Sequence, residues 1–290
     1  MVRILDSGGG FSGSVGGHVI PGSFFVGFGT FFLLLTAHRL FKAESTEDYC
    51  ASHIPERNMC LLRRIGRLVV VCTLIGICVE GVGGELFLGE GGHPFFENLQ
   101  HITLYTMFCV SGIVGILESN DWLPQDSFRA ATALALFGES IIWNEHAKMK
   151  MNLVDTRIHA LVSLTCLASS TLMAISIYRP NQLVPFVGSF LFMTWQGLWL
   201  LAAAYNIQSE EHFDLETMTS YFILEGVFLG CAVVVVAVLL HRKRASGRLV
   251  KEDDYLRVQL NTADDDEEDE EDDVIVNKNE AIGRPALQVV

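Results

Sequence analysis

Seven apolar segments alternate with short polar stretches along the chain, at roughly 19–40, 68–88, 99–117, 128–143, 158–178, 183–205 and 221–240. A helix needs ~20 mostly apolar residues to cross the hydrocarbon core of a bilayer. The pattern therefore predicts an all-α, polytopic membrane protein, a seven transmembrane helix bundle. Its connections are short, so successive helices should pack antiparallel. The second and fourth segments are interrupted. The second contains Glu80 and Glu85, and the fourth is short and contains Glu139. Three regions follow: an N-terminal segment 1–17, a membrane domain 18–241 and a tail 242–290.

Lys and Arg set the orientation, because they collect on the cytosolic side. The stretch after the first segment holds Lys42, Arg57, Arg63, Arg64 and Arg67, and that after the seventh holds Arg242, Lys243, Arg244 and Arg248. Both are expected in the cytosol. With seven spans, the N-terminus is then outside or luminal and the C-terminus cytosolic. Lys148, Lys150 and Arg157 after the fourth segment run against this assignment, and the two larger clusters outweigh them.

Composition agrees: half of the 290 residues are hydrophobic. The net charge of −14 is largely local. Residues 264–273 read DDDEEDEEDD, a block expected to be disordered and to solvate or bind a basic protein partner. Nucleic acid is not an expected partner, because phosphates call for the opposite sign.

The stretch WNEHAKMKMNLVDTRIHAL, residues 143–161, carries the chemistry. On the predicted topology, ionisable residues from several helices come to one depth, in the outer half of the bundle. These are His18, Glu80, Glu85, His101, Glu139, His146, Asp155, His159, His212 and Glu225. Glu139 and His146 lie two turns apart on one helix face, and Asp155 and His159 are at i and i+4. A buried charge is costly unless it is paired or ligating, so this convergence predicts a shared polar cavity. Imidazole and carboxylate are zinc ligands. His101, His146, Asp155 and His159 form the candidate metal set. Glu139 and Glu225 are candidate catalytic bases, and His18 and Glu80 complete the polar cluster. No HExxH is present. Each residue also has a plainer reading. Asp155 can be a helix N-cap, Glu139 an interhelical contact to Gln196 or Asn144, and His18, His101 and His212 interfacial residues. Trp195, Trp199 and Tyr205 read as packing or an interface belt.

GHVIPGSFF (17–25), QHITLYTMFCVSGIVGIL (100–117), FGESIIWNEH (137–146) and DTRIHALV (155–162) resemble the motifs of the transmembrane protein 45 family. The resemblance spans about 18–240. It implies a seven-span protein of the endomembrane system or plasma membrane. It also implies histidine at His18, His101, His146 and His159, and an acid at Glu80, Glu139 and Asp155. Family members carry a histidine near Glu225, where this chain departs. The resemblance supplies architecture and no activity.

Four functions compete on these residues. The first is a zinc-dependent membrane hydrolase acting on a lipid or small amphiphile from the outer leaflet. The second is a proton-coupled transporter using Glu80, Glu139 and Glu225. The third is a bis-histidine haem protein. The fourth is a structural or trafficking protein working through its cytosolic tail.

Overall fold

The computed structural model describes residues 15–42, 59–80, 95–150, 152–180, 182–208 and 214–265. They form seven helices: α1 (Val15–Lys42), α2 (Met59–Cys78), α3 (Phe95–Glu118), α4 (Ser127–Met149), α5 (Leu153–Tyr178), α6 (Leu183–Gln208) and α7 (Leu215–Asp265). There is no strand among the described residues. The chain divides into two compact units, Met1–Leu240 and His241–Val290. Five helices are long and apolar enough to cross a membrane: α1, α3, α5, α6 and α7. The chain is thus an all-helical protein with the character of a multi-pass membrane protein.

Within the first unit, α2 packs on α3, α3 on α4, α4 on α5, α5 on α6 and α6 on α1, whereas α1 and α2 barely meet. Six helices therefore make a ring open on one side. Apolar side chains turn both ways. Phe25, Phe108, Leu136, Val162, Phe190 and Leu200 fill the interior, while Leu34, Leu134, Phe137 and Leu164 are exposed on the outside. That double-sided apolarity suits a bundle solvated by lipid.

Hydrophobic burial does not drive helix association in lipid, so close approach and hydrogen bonds must hold the ring. Glycines supply the approach. A β-carbon on Gly66 would stand 2.7 Å from the Gly112 carbonyl oxygen, and one on Gly112 would stand 2.9 Å from that of Gly66. Gly22, Gly29 and Gly197 serve the α1–α6 crossing in the same way. Small hydroxyls add the bonds. Ser163 Oγ donates to the Ser140 carbonyl at 2.8 Å, Ser169 Oγ to Ser189 at 2.8 Å and Ser170 Oγ to Ala133 at 2.7 Å. At its N-terminal end α7 packs Phe222 on Trp195, with ring centroids 4.4 Å apart, and on Trp199 at 5.0 Å. These two tryptophans are packing residues, and Tyr205 is exposed.

Helix limits differ from the hydropathy pattern where charges enter helices. α2 begins at Met59, upstream of the expected 68, and so includes Arg63, Arg64 and Arg67. Arg63 Nη2 donates to the Ser119 carbonyl at 3.1 Å, so the charge is bonded rather than extruded. α4 extends to Met149 and takes in His146. Its start is capped across the turn by Glu118, whose carboxylate accepts from the backbone N–H of Asp126 at 2.9 Å and of Phe128 at 2.6 Å. α7 continues to Asp265, past the expected boundary at 241. Glu85, His212 and residues 266–290, with most of the acidic block, lie outside the described residues.

Candidate functional site

α1, α3 and α5 begin at the end of the bundle where α2 and α4 finish, so His18, Glu80, His101, His146, Asp155 and His159 meet there. All six are buried. The GH of the first motif explains itself by contact. A β-carbon at Gly17 would lie 2.9 Å from His101 Cε1 and 3.3 Å from Glu80 Oε1, so only glycine lets α1 approach α2 and α3 this closely. His18 then reaches α5, its Nε2 standing 3.3 Å from Nε2 of His159.

The four imidazoles run as an arc. Ring centroids are 5.4 Å apart between His18 and His159, 4.8 Å between His159 and His146, and 5.8 Å between His146 and His101. Trp143 fills the inside of the arc, with centroids 6.1, 5.2, 5.7 and 6.1 Å from His18, His159, His146 and His101 respectively. Three rings are pinned through Nδ1 by oxygen. His101 Nδ1 meets Glu80 Oε2 at 3.2 Å, and His146 Nδ1 meets Gln100 Oε1 at 2.7 Å. His159 Nδ1 meets the Asp155 carbonyl at 2.7 Å and its Oδ1 at 3.0 Å. A ring nitrogen facing an oxygen acceptor carries the proton, so the lone pair of each neutral ring sits on Nε2.

This geometry corrects the expected ligand set. Asp155 stands behind His159, on the Nδ1 side, with its other oxygen 3.8 Å from Lys150 Nζ. It orients the ring and does not share a ligand direction with Nε2. Nor is it the helix cap: Asn152 is, accepting from the Val154 N–H at 2.8 Å, and Asp155 occupies the first turn of α5. Among the described residues, no group of three His, Cys, Asp or Glu side chains stands in a metal-holding arrangement.

Glu139 lies deeper in α4. Its Oε1 accepts from Gln196 Nε2 at 2.7 Å and Trp143 Nε1 at 3.0 Å, which is the interhelical contact anticipated from sequence. Its Oε2 accepts no N–H or O–H from the protein, and the Cys166 thiol lies against the carboxylate. Glu225 is not brought to the imidazoles. It is half-buried beside Trp195, so the two candidate bases face different sides of α6. α7 stands outside the ring, and depth along a helix says nothing of that. Gln100, Trp143 and Tyr105 are the neighbours that sequence reasoning missed. Gln100 precedes His101 on α3, and its side chain reaches His146 on α4.

A cavity of about 320 Å³ adjoins the arc, lined by α1, α2, α3 and α4 and floored by His101, Glu139 and Trp143. No family model matches the chain.

Proposed function

We propose that the chain is a seven-span membrane protein whose buried histidine centre binds zinc and hydrolyses a lipid or small amphiphile. The observation that carries the reading is the pinning of His101, His146 and His159 through Nδ1 by Glu80, Gln100 and Asp155. Imidazoles that hold a metal through Nε2 have their Nδ1–H oriented in this way. One pair of imidazoles also has the spacing. Two imidazole nitrogens on one tetrahedral zinc, each at about 2.0–2.1 Å, lie about 3.3 Å apart, and His18 Nε2 and His159 Nε2 are 3.3 Å apart. His146 and His159 are the proposed ligands, with His18 or His101 as the third. A zinc ion held by these imidazoles would supply Lewis-acid polarisation of a carbonyl. Glu139, held through Oε1 by Gln196 and Trp143, presents Oε2 as the proton acceptor.

Seven spans, rather than the five that length and composition alone give, are supported by the outward faces of the other two helices. α2 exposes Leu68, Val71 and Leu74, and α4 exposes Leu134, Phe137 and Ile141. The same Lys and Arg clusters put the C-terminus in the cytosol. The resemblance to the transmembrane protein 45 family is consistent with this topology.

Elemental analysis of the purified protein tests the reading. Near-stoichiometric zinc is expected, lost in His146→Ala and in His159→Ala. A folded, zinc-free wild-type preparation that takes up no added zinc overturns it. The interhelical Ser and Gln bonds would then favour the second reading, a non-enzymatic scaffold in which the polar groups only fix helix packing.

A further inference from the structure

The faces that α4 and α5 turn away from the bundle change chemistry at one level. On α4 the exposed Leu134, Phe137 and Ile141 are followed by the exposed Asn144, Glu145 and Lys148. On α5 the exposed Arg157 is followed by Ala160, Leu164 and Leu167. Glu145 and Lys148 pair at 2.6 Å, and hydrocarbon does not solvate such exposed charges. Beyond this level the large exposed apolar residues described on the two helices are Met149 and Leu153, beside the turn. The apolar surface thus ends between Ile141 and Asn144 on one helix and between Arg157 and Ala160 on its neighbour. A break of this kind marks the edge of the hydrocarbon core of a bilayer.

The imidazoles stand at the break. His146 lies two residues past Asn144, and its side chain slants back towards the start of α4. His159 immediately precedes Ala160, and it slants towards the start of α5, which runs the other way. The two rings meet with centroids 4.8 Å apart. Distance from the opposite edge, marked by the exposed aromatics Trp122 and Tyr178, agrees. His146 follows Ser127 by 19 residues, His159 precedes Tyr178 by 19 and His101 precedes Glu118 by 17. At 1.5 Å per residue these spans are about 28, 28 and 26 Å, against a hydrocarbon core about 30 Å thick. Three helices therefore bring the centre to the level at which acyl chains join their headgroups. Beneath it the cavity of about 320 Å³ runs from Gly17 and His101 to Phe25 and Phe108 through a mostly apolar wall. Such a space suits the part of a chain next to its carbonyl and does not suit a head.

We propose that the substrate is a lipid resident in the leaflet on the histidine side, and that the bond cut is its acyl linkage, the ester or amide carbonyl at the junction of chain and headgroup. A lipid met at its resting depth keeps its methylenes out of water. Groups at the chain end lie near the midplane, about 15 Å too deep. Hydrolysis forms a bond from a water oxygen to the acyl carbon and breaks the bond from that carbon to the ester oxygen or amide nitrogen. The leaving atom takes up the proton. The inference rests on the seven-span hydrolase reading and narrows its amphiphile to one linkage.

The test uses the full chain in lipid nanodiscs. Wild type is offered a diacyl phosphatidylcholine, its diamide analogue, and a diether analogue whose one ester sits at chain carbon 8. Cleavage of the junctional ester or amide is expected, and the first two probes tell which. The displaced ester should react at least about a hundredfold more slowly, because misplacing the reacting atoms by about 1 Å already costs that much. Equal or faster cleavage of the displaced ester overturns the proposal. A nitroxide carried by a keto amino acid in place of Glu145 reads the level independently of chemistry. Its power saturation should fall between those of a headgroup-labelled lipid and a lipid labelled at carbon 5. A deeper position, or bulk water, overturns the proposal, and the wild-type probes decide alone if this variant does not fold. Zinc is measured in every preparation. Zinc without junctional cleavage removes this inference and leaves the metal reading, junctional cleavage without zinc does the reverse, and the absence of both removes both.

Discussion

Gly197→Ala tests how α1 is held. A β-carbon at this position would lie 2.6 Å from the backbone nitrogen of Val26 and 2.7 Å from the carbonyl oxygen of Gly22. Unstrained contact starts near 3.4 Å, so the two helices must part by about 0.8 Å, because backbone cannot rotate aside. Gly27→Ala is the matched comparison, since it also replaces a helical glycine but meets nothing within 4 Å. Alanine improves helix propensity by about 1 kcal/mol in both variants, and the difference between them isolates the clash. Overpacking of this kind costs about 1–3 kcal/mol. For a chain of this size that is roughly 2–12 °C in the apparent unfolding midpoint. Thermal unfolding in one detergent at one heating rate reads it, and the common heating rate removes the scan dependence expected of irreversible unfolding. Gly197→Ala should melt below Gly27→Ala by that amount. Equal midpoints, or a higher one for Gly197→Ala, would refute the close crossing and with it the position of His18, which lies one turn from Gly22.

Two further outcomes follow from single contacts. Gln100→Leu removes the acceptor of His146 Nδ1 while leaving the ring in place, so zinc affinity should fall by about 10- to 100-fold, measured by competition with a chelator. Glu118→Ala leaves the Asp126 and Phe128 N–H groups at the start of α4 without their carboxylate. Bonds to a charged group contribute about 1.5–3 kcal/mol, so the unfolding midpoint should drop by several degrees with zinc content unchanged.

The convergence of His18, His101, His146 and His159 was legible in the sequence for a simple reason. Helices of similar length joined by short connections alternate in direction, so position along each run translates into depth. Azimuth has no such signal. Glu225 shares the depth of Glu139, yet it faces Trp195 because α7 leans on α6 from outside. Asp155 shares a helix face with His159 as the spacing required, but whether it ligates or merely orients depends on which ring nitrogen it meets. The start of α2 was hidden because Arg63 and its neighbours resemble the edge of a span, and the bond to Ser119 shows how a guanidinium is accommodated inside the helix. Gln196 was one of two partners, with Asn144, that the sequence offered for Glu139, and the bond between them decides for Gln196.

The seam between α1 and α6 also governs when the centre can come into being. α1 leaves the ribosome well before its main partner α6, whose Gly197 lies 175 residues beyond Gly22. Such a distant pairing delays closure. Until residues 183–208 have been synthesised, α1 has no seat, and His18 cannot settle beside His159. A nascent chain stopped before Leu183 would hold His101, His146 and His159 and lack His18 in place, so the complete arc has to wait for α6.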